Sequence, residues 1–205
     1  MNRKTLGLKF TILLVFLLLC MKPNAQPVWK LVKEKNGMKI FTANADNSKF
    51  KNIRVQMLLE GTIPKLTSII SDIKKYPEWV YREKTAILLK QVSNNEFIYY
   101  IESVLPWPVS NRDAIIHLTF LPDPIHHVLR INAFSEPTYI EKKDGIVRIP
   151  FSKETWYVTE TGNKLNIDYT FQMDSGGSLP AWIVNMLADK GPYETFQNLK
   201  MKLLQ

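Results

Sequence analysis

From Lys164 to Met173 the chain alternates without a break: Leu165, Ile167, Tyr169, Phe171 and Met173 are apolar, and Asn166, Asp168, Thr170 and Gln172 between them are polar. Successive side chains of a strand point to opposite faces, so this segment reads as a strand with one face on an apolar interior and the other in water. Residues 114–121 repeat the pattern, with Ile116, Leu118 and Phe120 opposed to Ile115, His117 and Thr119. Period-two patterning also predicts strands near residues 53–59, 87–92, 97–104, 128–134 and 154–159. Strands joined in succession by short polar turns form an antiparallel sheet rather than βαβ units.

Two segments carry helical spacing instead. Leu66, Ile69, Ile70 and Ile73 fall at i, i+3, i+4 and i+7, with Thr62 as a candidate N-cap and Pro64 in the first turn. This helix is expected to end near Tyr76-Pro77. A second is expected from Leu179 to the C-terminus, capped by Ser178. Trp182, Ile183, Met186 and Leu187 form one stripe on it, and Tyr193, Phe196, Leu199 and Leu203 another. Gly191-Pro192 separates the stripes and is expected to kink the helix.

The charge is unevenly placed. The 205 residues sum to +8, but the first 25 hold Arg3, Lys4, Lys9 and Lys22 and no acid, which leaves +4 on the remaining 180. Basic residues, an apolar run from Phe10 to Met21, then Pro23-Asn24-Ala25 form the pattern of a secretory signal peptide cleaved after Ala25. Residues 26–205 are then one domain, exported to a periplasmic or extracellular location, with an uncleaved N-terminal anchor as the alternative. The single cysteine, Cys20, lies in the leader, so disulfides, zinc thiolates and cysteine nucleophiles are not expected of the exported domain. Export and the unclustered +4 argue against nucleic acid as a partner.

Catalytic and metal-binding patterns are weak. The histidines His117, His126 and His127 have neither HxH nor HxxxH spacing, and adjacent residues of a strand would face opposite ways. Asp174-Ser175-Gly176-Gly177-Ser178 could hold an anion at its amides, but it lacks phosphate-loop spacing and reads as a turn with a helix cap. No metal, cofactor or catalytic residue is assigned. The segment Leu105-Pro106-Trp107-Pro108-Val109-Ser110-Asn111-Arg112-Asp113 is the most informative, a stiff loop leading into an amphipathic strand. Arg112 and Asp113 either tie this loop to nearby backbone or form a polar anchor at the end of an apolar cavity.

The sequence resembles the StAR-related lipid-transfer (START) domain family. The resemblance lies in Trp29 with residues 36–41 (NGMKIF), Tyr76-Pro77-Glu78-Trp79, residues 106–113 (PWPVSNRD) and residues 174–185 (DSGGSLPAWIVN), which occur in the family's order. It implies an α+β helix-grip fold, a curved antiparallel sheet wrapped around a long C-terminal helix with a lipid-sized cavity between them. Cholesterol-binding members carry a buried acid before the Arg-Asp motif and an arginine after it. The approximately matching positions here are Tyr99 or Tyr100, and Leu118, which puts sterol specificity of that kind in doubt.

The function expected from this resemblance is non-enzymatic binding or transfer of a lipid or other hydrophobic small molecule, with transient contact to a membrane surface. Ile116, Leu118, Phe120, Tyr169 and Phe171 are the candidate apolar wall, joined by Trp156 and Leu187. Tyr99, Tyr100 and Arg112 are the candidate polar groups. Trp182 and Ile183 flank the candidate gate at the C-terminal helix. The alternative is an enzyme of the cyclase or aromatase type, which needs inward acids or bases. The clean strands show these mainly on their outward faces, as Asn166, Asp168 and Gln172.

Overall fold

The alternating segments all become strands in the computed structural model, which describes residues 27–45 and 50–205. The expected leader lies outside the described residues. The strands are β1 (Lys30–Lys35), β2 (Met38–Asn44), β3 (Lys51–Glu60), β4 (Glu83–Ser93), β5 (Glu96–Ser103), β6 (Arg112–Asp123), β7 (Val128–Ser135), β8 (Val147–Arg148), β9 (Phe151–Thr161) and β10 (Lys164–Asp174). The helices are α1 (Ile63–Ser71), the single-turn α2 (Tyr76–Trp79) and α3 (Ala181–Leu204), with a 3₁₀ turn over Ile73–Lys75.

One sheet takes in all ten strands, in the order β1-β2-β3-β10-β9-β7-β6-β5-β4 with β8 beside β6. Every pairing is antiparallel except that of β8 with β6. Ile53 on β3 and Tyr99 on β5 are five strand spacings apart, about 24 Å in a flat sheet. Both nevertheless line one small cavity, so the sheet curls around its apolar face. At about 1.5 Å per residue, the 24-residue α3 is some 36 Å long and closes the open side. Phe196, Leu199 and Leu203 on its inner face join the same core as Val55, Ile131 and Ile167 of the sheet. The architecture is the α+β helix-grip arrangement.

Several local expectations change. Thr62 caps α1 as expected, its Oγ1 accepting from the Lys65 amide, but α1 stops at Ser71 rather than near Tyr76. Asp72 leaves helical geometry there, and the change of direction lets Ile73, Tyr76 and Trp79 all be buried. Helix α3 begins at Ala181 and has no side-chain cap, so Ser178 does not fill that role. The helix continues through Pro192, whose missing N–H leaves the Ala188 carbonyl without its usual partner. His126 and His127 lie in the turn between β6 and β7 rather than in a strand, and His126 Nδ1 bonds Asp123 at 2.8 Å. The hairpin of β1 and β2 was not predicted, because β1 is an edge strand with mostly exposed residues and no alternation to read.

Candidate functional site

A cavity of about 230 Å³ lies between the sheet and α3. Strand alternation places its wall: from β6 Arg112, Ala114, Ile116 and Leu118 point in, and from β10 Tyr169, Phe171 and Met173 do. Trp156 comes from β9, Tyr99 and Ile101 from β5, and Leu187 and Phe196 from α3. Phe196 packs at a tilt against Trp156 and edge-to-face against Tyr169, with ring centroids 5.2 and 5.1 Å apart, and so holds the helix to the wall.

Eight of the twelve residues singled out from the sequence therefore line this cavity: Tyr99, Arg112, Ile116, Leu118, Trp156, Tyr169, Phe171 and Leu187. Four do not. Tyr100 is one residue out of phase and lies on the other face of the sheet, packed with Ile98 and Ile115 beneath Lys143. Phe120 points inward but packs edge-on against Phe97 in the closed core beyond the cavity. Ile183 is buried off the cavity wall, and Trp182 is 52% exposed to solvent.

Arg112 serves both roles open to it. Its guanidinium donates to the carbonyls of Ser110 at 2.6 Å, Ser175 at 3.4 Å and Gly176 at 3.3 Å, while its side chain borders the cavity. Burial pulls its pKa below the usual guanidinium value. These bonds join the loop that bears Trp107 to the loop that leads into α3. Gly176 adopts a φ of +66°, and a Cβ there would come within 3.2 Å of the Arg148 carbonyl. Asp113 points the other way and pairs with Arg148 on the outer face.

The sequence did not expose the cavity's acids. Glu83 and Glu154 both line it, and burial raises each pKa to about 7, partly offset by hydrogen bonds to Ser103 for Glu83 and to Tyr169 and Trp156 for Glu154. Glu154 follows the polar Lys153 in a strand whose inward face begins irregularly, and Glu83 opens an edge strand interrupted by bulges. The inward set Ser152, Glu154, Trp156 and Val158 was legible only by continuing the period back from Trp156. The shortage of inward acids expected from the sequence is thereby corrected. Tyr99 and Tyr169 are held well above the usual phenol pKa by burial, and Tyr76, also raised by burial, donates to the Ile70 carbonyl at 2.7 Å.

After Pro192, helix α3 is tied to the rest of the protein by side-chain hydrogen bonds: Tyr193 to Asn36, Thr195 to the Tyr81 amide, Asn198 to the Trp79 carbonyl and Lys202 to Glu78. Trp107 is 90% exposed, in the loop that Arg112 ties to Ser175 ahead of α3. No helix among the described residues is long and apolar enough to cross a membrane.

The profile of the START domain matches residues 18–205. The chain belongs to the START domain family. An uncharacterized protein of Pseudomonas aeruginosa is 28% identical over 173 residues, covering 84% of this chain and 85% of that protein. The phosphatidylcholine transfer protein of Mus musculus is 26% identical, over 80% of this chain and 78% of its own length. Among solved structures, a STAR-related lipid transfer protein from Xanthomonas axonopodis superposes with a TM-score of 0.79 at 26% identity, covering 86% of this chain and 99% of that one. Human StAR-related lipid transfer protein 5 has a TM-score of 0.74 at 16% identity over 98% of each chain, which speaks to the fold. The START domain here is thus similar to named lipid transfer proteins in both sequence and fold.

Proposed function

We propose that this START domain binds a lipid or other hydrophobic small molecule in the cavity between sheet and helix and passes it to and from membranes. The observation that carries the reading is the apolar wall built by Ile116, Leu118, Trp156, Tyr169 and Phe171 in a chain whose named relatives transfer lipids. Burying one methylene is worth about 0.8 kcal/mol, so a ten-carbon chain gains about 8 kcal/mol before ordering costs. At about 230 Å³ the cavity is smaller than the roughly 300–1,000 Å³ usual for small-molecule sites. It takes a single chain or a compact ligand as it stands, and a two-chain lipid requires α3 to move.

The half of α3 before Pro192, which brings Leu187 to the cavity wall, is the gate in this reading. Trp107 and Trp182 rest on the membrane surface during exchange, since tryptophan favours the water–lipid interface. In this reading the activity lies outside the cytoplasm, as expected of a chain whose first 25 residues have the pattern of an export leader. The test is native mass spectrometry of the protein from its own cells, followed by vesicle-to-vesicle transfer of the extracted compound. Protein that carries nothing and accelerates no transfer overturns the proposal.

The two buried carboxyls favour a second reading, acid–base catalysis on a hydrophobic substrate, because a group titrating near 7 can both hold and release a proton at neutral pH. A covalent change in the extracted compound on incubation with the protein would establish it.

A further inference from the structure

Glu83 and Glu154 stand on strands four places apart, yet the curl of the sheet brings them to one cavity. Glu83 Oε1 accepts from Ser103 Oγ at 2.9 Å, whereas its Oε2 is buried with no hydrogen-bond partner. Glu154 faces the Tyr169 hydroxyl and the Trp156 indole. Among the described residues, neither carboxyl has an ion-pair partner. The cations nearest to hand are committed elsewhere. Arg112 is bonded to three backbone carbonyls, and Arg82 turns its Nε to the Tyr81 hydroxyl at 3.1 Å. The other titratable groups on this wall are Tyr76 from α2, Tyr81 from the following loop, Tyr99 from β5 and Tyr169 from β10, all neutral donors or acceptors.

A buried carboxylate is costly unless it is paired, and among the described residues neither arginine of the wall, Arg82 or Arg112, pairs with either acid. Electron-rich ring faces surround the same space, with Tyr76 and Tyr99 edge-to-face at 5.4 Å and Trp156 and Tyr169 at 4.8 Å. Acids without a cation, an orphan acceptor and aromatic faces all favour a positively charged, hydrogen-donating group. We propose that the Glu83–Glu154 pair is the recognition site for a ligand's head group, and that the cavity selects hydrophobic amines over hydrophobic carboxylates of the same chain length. The inference rests on the reading of the cavity as a hydrophobic-ligand site.

The test compares three probes with one tail, decylamine, decanol and decanoate, by calorimetric titration at about pH 8, where the amine is still charged and the free acid ionised. Decylamine is expected to bind about tenfold or more tighter than decanoate, and the Glu83→Gln/Glu154→Gln double variant to bring the two within about threefold. Decanol should bind both proteins alike, which shows the variant's cavity intact; Glu83→Gln alone serves if the double variant does not fold. Decanoate binding as tightly as decylamine, or a preference that survives both substitutions while decanol still binds, overturns the acid-pair proposal alone. Failure of all three probes to bind overturns the hydrophobic-ligand reading and this proposal with it.

Discussion

Arg148 donates two parallel hydrogen bonds to Asp113, from Nε to Oδ1 at 2.8 Å and from Nη2 to Oδ2 at 3.0 Å, with both side chains almost wholly out of water. Its remaining donors reach the carbonyls of Pro137, Ile140 and Glu141, so one guanidinium pins the segment before β8 across the outer face of β5 and β6. Removing one partner of a buried pair strands the other charge. Asp113→Ala is expected to cost about 3–5 kcal/mol in urea unfolding, while Asp113→Leu combined with Arg148→Met recovers most of that loss. A cost under about 1 kcal/mol for the single variant would show that the pair is not buried in solution.

The acid pair makes stability depend on pH in a defined direction. Glu83 and Glu154 lose their protons near 7 in the folded chain and near 4.5 when unfolded. Between those values the folded state holds more protons, so their contribution to stability falls as pH rises from about 4.5 to 7 and is constant above. Unfolding of the wild type and of Glu83→Gln/Glu154→Gln, measured from pH 4.5 to 8.5, should differ by a term that grows with pH to the order of a few kcal/mol. A pH-independent difference counts against burial of both carboxyls.

His117 behaves in the opposite sense. Burial works against its protonation, but hydrogen bonds to Glu136 at 2.9 Å and Glu96 at 2.6 Å outweigh this and raise its pKa above the ordinary 6.5. The stability it adds is fully present below 6.5 and is lost as pH rises through the raised value. NMR titration of the imidazole should give a midpoint above 6.5 that drops in Glu96→Gln.

Filling the cavity separates binding from folding. Ala133 lies on the wall beside Glu154 and Leu118, and Ala133→Leu adds three carbons there. The variant is expected to bind decanol at least about tenfold more weakly. Its thermal midpoint should stay within a few degrees of wild type, since the added group occupies space already present.

The gate and the membrane contact are tested at the two exposed tryptophans. Trp182→Ala is expected to slow lipid exchange between vesicles, and Trp107→Ala to weaken sedimentation with vesicles, each by about threefold or more, while binding of decanol is unchanged. Wild-type exchange by Trp182→Ala would leave the N-terminal half of α3 without a gating role.

The alternation from Lys164 to Met173 sufficed to establish a half-buried strand and its inward residues, because side-chain direction in a strand depends only on parity. The same parity placed Ile116 and Leu118 on one face, and four ordered blocks, including residues 106–113, pointed to the START fold. Parity could not say whether an inward residue meets space or another side chain. Phe120 continues the face of Leu118 yet packs against Phe97, and the choice between Tyr99 and Tyr100 waited on which of them shares a phase with the wall. Nor could it bring Glu83 and Glu154 together. They are 71 positions apart in sequence and four strands apart in the sheet, and they meet only because the sheet curls around α3. Local pattern determined which elements form and which way each one faces; the curvature that turns those faces into a cavity with an acidic pair is a property of the assembled sheet, in which distant strands become neighbours.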